Sequence, residues 1–249
     1  MLGNPSRRSL LGAGLSALAP GFALPAQTQG KRLRIIVAGG HPDDPETGAG
    51  GTMARYSALG HDVISLYLTR GEAGINGKTN EEAARIRTGE AEDACRILGA
   101  RAMFAGQVDG ASEVNGARYR DFRKLLDGLQ PDIVFTHFPI DTHPDHRAVS
   151  LLVYDCLQRS TRKFLLYYLE VLTGEQTQNF RPTDYVDITP TESLKRKACF
   201  AHKSQEPADF YPYHERMSRF RGMECGVTYA EAFIGYDQNE RAGLELHGL

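Results

Sequence analysis

From residue 31 onward, short apolar runs alternate with longer amphipathic stretches. "RLRIIVAGG" (32–40) is rich in Ile and Val and closed by two glycines, the pattern of a strand buried on both faces. "DVISLYLT" (62–69), a weaker "RAMFAGQ" (101–107), "PDIVFTHF" (131–138) and "RKFLLYYLEV" (162–171) repeat it. Between them, helices are expected over 51–60, 80–100, 118–130 and 143–160. The stretch 80–100 opens on acids that suit a helix N-terminus, and Pro144 is tolerated in a first turn. Beyond Leu172 the pattern weakens to a short strand (185–189), helices over 189–205 and 207–226, and a strand-like 227–237. Such alternation predicts an α/β fold, a mainly parallel sheet with helices on both faces.

Composition adds one qualification at the N-terminus. The 249 residues are 41% hydrophobic and 24% charged, enough for one sizeable core. A net charge of −2 gives no ground for a nucleic-acid partner. Residues 1–30 differ: Arg7 and Arg8 precede an Ala/Leu/Gly-rich run and small residues near Ala23 and Ala26. This predicts an export signal, and "SRRSLL" matches the twin-arginine pattern. A disordered basic tail and an uncleaved anchor are the competing readings. No later stretch of about twenty apolar residues suggests a membrane span; with no repeat, low-complexity linker or clean boundary in the pattern, residues 31–249 are expected as one domain, exported to the periplasm or beyond. Cys95, Cys156, Cys199 and Cys225 form no CxxC pair, and buried free thiols are expected.

Two strand ends carry the chemistry. The first is followed by "HPDD" (41–44), the fourth by "THFPIDTHPDH" (136–146). Open parallel sheets bind ligands at strand C-termini where strand order reverses, and strands one and four usually flank that point. His and Asp together suit a divalent transition metal, most simply zinc with three protein ligands and an open position. His41 and Asp44, three residues apart, can turn toward one ion. His143 and His146 share that spacing, and either one or both can serve. Asp43, beside Asp44, can act as general base. Taken singly, each motif also reads as a turn or a helix N-cap.

At this point the chain resembles a known family. "AGGHPDDPETGAGGTMARYSALGHDVISLYLTRGEAG" and "THFPIDTHPDHRAV" look like the paired signatures of the PIG-L/LmbE-like deacetylases. "IRTGEAEDACRILGA" and "AHKSQ" (201–205) extend the likeness over about 33–205. The resemblance implies a Rossmann-like sheet and a zinc-dependent hydrolase removing acyl groups, commonly acetyl, from N-acetylglucosamine-type conjugates. It implies His41, Asp44 and His146 as metal ligands and Asp43 as base. It further implies a protonated His143 as oxyanion stabiliser or acid, Asp145 as orienter of an imidazole, and Arg87 and Asp109 as sugar contacts. Arg87 also reads as a surface residue, and Asp109 as a turn residue. Pro45 stands where many members have Glu, which leaves the role of Glu46 open. Glu72 is expected to brace its loop. Phe210, Tyr211, Tyr213, Tyr229 and Phe233 read either as sugar platforms or as core. An amidase of another conjugate and a non-catalytic exported sugar-binding protein are the alternative functions. A nucleotide-binding role is disfavoured, because carboxylates stand where phosphates need N–H groups.

Overall fold

The computed structural model describes residues 31–172 and 174–237. The stretch read as an export signal lies outside the described residues. Strand β1 (Arg34–Gly39) is buried from Ile35 onward, so it sits inside the sheet. It pairs in parallel with β2 (Asp62–Tyr67) on one side and β4 (Ile133–His137) on the other. β3 (Arg101–Phe104) adds outside β2 and β5 (Leu165–Leu169) outside β4, both parallel. β7 (Ala230–Gly235) then pairs antiparallel to β5, with β6 (Asp184–Asp187) antiparallel at its far edge. The order is β3-β2-β1-β4-β5-β7-β6, so the reversal falls between β1 and β4, as the sequence pattern implied.

Helices cover both faces because β1 alternates. Ile35 and Val37 pack with Met53, Ala94 and Ala198 of α1 (Asp44–Ala58), α2 (Asn80–Leu98) and α5 (Glu192–Cys199). Ile36 and Ala38 pack with Phe122, Val149 and Leu152 of α3 (Gly116–Leu129) and α4 (Pro144–Arg159). α6 (Pro207–Cys225) lies against β7 and α5. Among the described residues no helix is long and apolar enough to cross a membrane.

Three expectations are corrected. The first helix starts at Asp44 rather than Gly51, and it breaks at Ala49 (φ −144°). The break frees two amides, and Glu231 of β7 captures them: Gly51 N and Thr52 N donate to its carboxylate at 2.9 and 2.7 Å. The buried Lys195 ammonium neutralises that carboxylate at 2.7 Å. Second, the helix expected over 189–205 splits into α5 and a 3₁₀ turn (Lys203–Gln205). The chain turns there to bury His202 and to bond Ser204 to Glu90. Third, all four cysteines are free as expected, but Cys225 is exposed at the end of α6.

Candidate active site

The two motif-bearing loops leave adjacent strands, which brings residues about a hundred positions apart into contact. Glycine makes the approach possible. A Cβ on Gly40 would stand 2.9 Å from the His146 ring and 3.3 Å from the Asp44 carboxylate. Asp43 caps α1 in an unusual backbone state, φ 113°, without spending its side chain on a cap bond. Such strain is tolerated where the surroundings enforce it, and here Arg87 does so. Its guanidinium donates to Pro42 O and, at 3.1 Å, to Asp43 Oδ2. His143 caps α4, its Nδ1 accepting from Asp145 N at 3.2 Å.

Asp44 lies at the centre. Its Oδ2 is 3.3 Å from His41 Nδ1 and 3.2 Å from His146 Nε2. Donor atoms about 2.0–2.1 Å from a tetrahedral ion are separated by about 3.3–3.4 Å, so each of these spacings matches a pair of ligands on one cation. The His41 and His146 ring centroids lie 5.3 Å apart. Each ring is braced from behind by carboxylate: His41 Nε2 faces Asp145 at 3.0 Å and Asp109 at 3.1 Å, and His146 Nδ1 faces Asp141 at 3.2 Å. Carboxylates of this kind fix the tautomer and orientation of ligating imidazoles. The donor groups whose atoms all lie within 4.8 Å of one another are His41–His143–His146, Asp44–His137–His146 and His41–Asp109–Asp145, so the expected His41, Asp44 and His146 are divided between the first two.

Charge supports a cation as well. Asp43, Asp44, Asp109, Asp141 and Asp145 surround the centre, and Arg87 is committed to Asp43. The carboxylates favour positive charge on His41 and His146. Burial opposes this at His41, but bonds to Asp109, Asp145 and Asp44 push its pKa well above 6.5. Burial likewise opposes charge at His146, yet Asp44 and Asp141 lift it to about 9. Burial would raise Asp44, but His146 and His137 hold it well below the usual carboxylate range. Asp43 behaves differently: burial raises its pKa, and Arg87 offsets that only in part. His143 is lowered by burial and by the neighbouring His41 and His146. With Nδ1 accepting an amide proton, its neutral form carries the proton on Nε2. In that form His143 is a hydrogen-bond donor through Nε2.

His41, Asp43, Asp44, His143 and His146 line a cavity of about 480 Å³, with Arg87 and Asp109 on its wall. Arg87 is buried rather than on the surface. Asp109 accepts from Ala73 N at 3.0 Å while touching His41. Glu72 braces the loop, accepting from Arg70 N and Asp109 N. Glu46 is fully buried behind the site, accepting from Tyr67 Oη at 2.7 Å and Ser65 Oγ at 3.1 Å, with His202 Nε2 3.4 Å away. Of the five aromatic residues singled out in the sequence, Phe210 lines the cavity. Tyr211 and Phe233 are core, Tyr213 is exposed, and Tyr229 sits beneath Arg219. Sequence reasoning missed His137, which stacks on His146 at 3.8 Å and 12°, and Asp141, Gln176 and His214. The position of His137 at the end of β4, facing Gly40 across the pair, was the available signal.

A mainly parallel sheet with a buried His/Asp group at its reversal point defines an α/β protein with a candidate metal centre. Residues 36–157 match the family described as PIG-L: GlcNAc-PI de-N-acetylase, and the chain belongs to that family. It is 30% identical over 182 residues to a probable N-acetyl-alpha-D-glucosaminyl L-malate deacetylase 2 from Bacillus anthracis, covering 69% of this chain and 80% of that one. It is 28% identical over 219 residues to the diacetylchitobiose deacetylase of Thermococcus kodakarensis, covering 80% and 81%. The solved N,N'-diacetylchitobiose deacetylase from Pyrococcus horikoshii superposes with a TM-score of 0.72 at 28% identity, covering 82% of this chain and 83% of that chain.

Proposed function

We propose that this protein is a zinc-dependent N-deacetylase of an N-acetylglucosamine-type amino sugar or its conjugate. The observation that carries the reading is the Asp44 carboxylate oxygen set 3.3 and 3.2 Å from one nitrogen each of His41 and His146, with Asp43 alongside. His41, Asp44 and His146 would hold the ion, and two nitrogens, one oxygen and an open position suit zinc. When bound, the ion supplies Lewis acidity that polarises the amide carbonyl and acidifies water. Asp43 takes the proton of the attacking water and passes it to the departing amine nitrogen. Its raised pKa suits a group that must both accept and return a proton. His143, holding its proton on Nε2, donates to the carbonyl oxygen as negative charge gathers there. Asp145 and Asp141 keep the ligating rings in register. Water is consumed, and acetate and a free amine are released. Residues 1–30 are proposed as the export signal that carries the enzyme out of the cytoplasm, which sequencing the mature N-terminus would test.

The test is acetate release from a panel of N-acetylated amino sugars, with and without chelator, by wild type and Asp43→Asn. Wild type should lose activity to the chelator. Asp43→Asn should keep its metal by elemental analysis yet lose at least about 10²-fold in kcat. Near-wild-type turnover by that variant would refute the base assignment.

A further inference from the structure

Beyond β5, residues 176–178 are strapped to the loop that enters α4. Thr142 N donates to Gln176 O at 3.1 Å and Gln178 N to Ile140 O at 2.9 Å, with Asp141 and Thr177 bridged antiparallel between them. Thr177 Oγ1 also reaches Asp141 Oδ2 at 3.4 Å. The strap delivers the Gln176 side chain to the cavity wall. Its amide nitrogen lies 2.9 Å from His146 Nδ1 and 3.4 Å from Asp141 Oδ1. The hydrolytic step gives this amide no part, yet it touches the ring of an expected metal ligand.

An imidazole nitrogen must offer a lone pair to hold a metal. For His146 that atom is Nε2, turned to the centre at 3.2 Å from Asp44 Oδ2. A neutral ring with a bare Nε2 carries its proton on Nδ1, and that N–H needs an acceptor. Asp141 Oδ1, 3.2 Å away, is one. An amide N–H at 2.9 Å from the same atom opposes it, donor against donor, whereas the oxygen of that amide accepts it. A half-turn of the side-chain amide exchanges the two ends in nearly the same place. If the ring instead keeps its proton on Nε2, the amide N–H suits Nδ1 and the ring cannot ligate. The orientation of the amide and the nitrogen left free for the ion are thus tied. We propose that Gln176 is a positioning residue for the metal centre: its amide oxygen accepts the His146 Nδ1 proton and so fixes Nε2 as the lone pair offered to the ion. As a neutral acceptor it does this without adding to the negative charge of Asp44, Asp141 and their neighbours. The inference rests on the metal-dependent hydrolase reading and adds to it a residue from outside both histidine–aspartate motifs.

The experiment measures zinc affinity by competition with a chromophoric chelator, and the Tm of zinc-free protein, for wild type, Gln176→Leu and Gln176→Glu. Gln176→Leu should bind zinc about 10–100-fold more weakly, the scale for removing a hydrogen-bond partner of a ligating histidine. Its zinc-free Tm should match that of wild type, because the strap is held by backbone bonds that the substitution leaves in place. Gln176→Glu keeps an oxygen acceptor at the same reach and should bind zinc no more weakly than wild type. Wild-type affinity in Gln176→Leu overturns the inference. So does a loss in Gln176→Glu as large as that in Gln176→Leu, which assigns the contact to the amide N–H. A wild type that takes up no zinc overturns the metal-dependent reading and the inference with it, an outcome distinct from one seen in the variants alone. Should Gln176→Leu fail to fold, Gln176→Ala takes its place with the same outcomes.

Discussion

Asp43 and Arg87 show how one pair can set both geometry and protonation. The guanidinium holds the Pro42–Asp43 turn in its left-handed state and favours the ionised carboxylate. Asp43 must be ionised to accept a proton, so activity falls on acidification as its carboxyl titrates, above the ordinary carboxylate range. Arg87 lowers that pKa, so removing it must move the acid limb toward higher pH. In Arg87→Met the acid limb of kcat/KM is expected to shift upward, with kcat reduced by at least about tenfold. An unmoved limb in the pH profile would separate Arg87 from Asp43. Residue types at strand ends made His41, Asp43, Asp44, His143, Asp145 and His146 legible in the sequence. His137, Asp141 and His214 were not, because a single His or Asp in a run gains meaning only from its spatial neighbour. The Gln176 amide, 2.9 Å from His146 Nδ1, could not be inferred from a loop with no pattern of its own.

At the level of elements, the interrupted α1 depends on a residue 180 positions away in sequence. "GAGG" (48–51) is a poor helix former, and the Glu231 carboxylate supplies partners for the amides that the break exposes. Lys195 and Glu231 are both almost fully buried, so truncating one leaves the other charged and unpaired. Glu231→Ala is therefore expected to destabilise the fold by about 3–5 kcal/mol in denaturant titration. A loss below about 1 kcal/mol would mean that the amides find other partners. This long reach explains the sequence misreading of α1: local pattern sees four small residues and starts the helix at the last of them. α2 was legible because its signals are local, with a Thr79/Glu82 capping box at its start and Gly99 in the left-handed state at its end. The 189–205 stretch was misread because burying His202 is a tertiary event.

For the whole molecule, strand composition and the usual order of doubly wound sheets sufficed to place β1 beside β4, and with them both motifs. The insertion of β7 between β5 and β6 could not be read, since antiparallel closure leaves no periodic mark. The thiols give a global probe of the same packing. Burial raises the Cys95 and Cys156 pKa values to about 12 and that of Cys199 further. A thiol reagent should therefore titrate one cysteine, Cys225, in the native protein and four after denaturation. Early reaction of a second thiol would show a looser core than the one described. The central place of β7 also bears on synthesis. A ribosome delivers Glu231 only after every metal-binding side chain has emerged. Until it arrives, the helix that begins at Asp44 has two bare amides and no far strand to anchor it. A nascent chain thus carries all the candidate donors without the frame that aims them, and assembly of a competent centre waits until translation has passed β7.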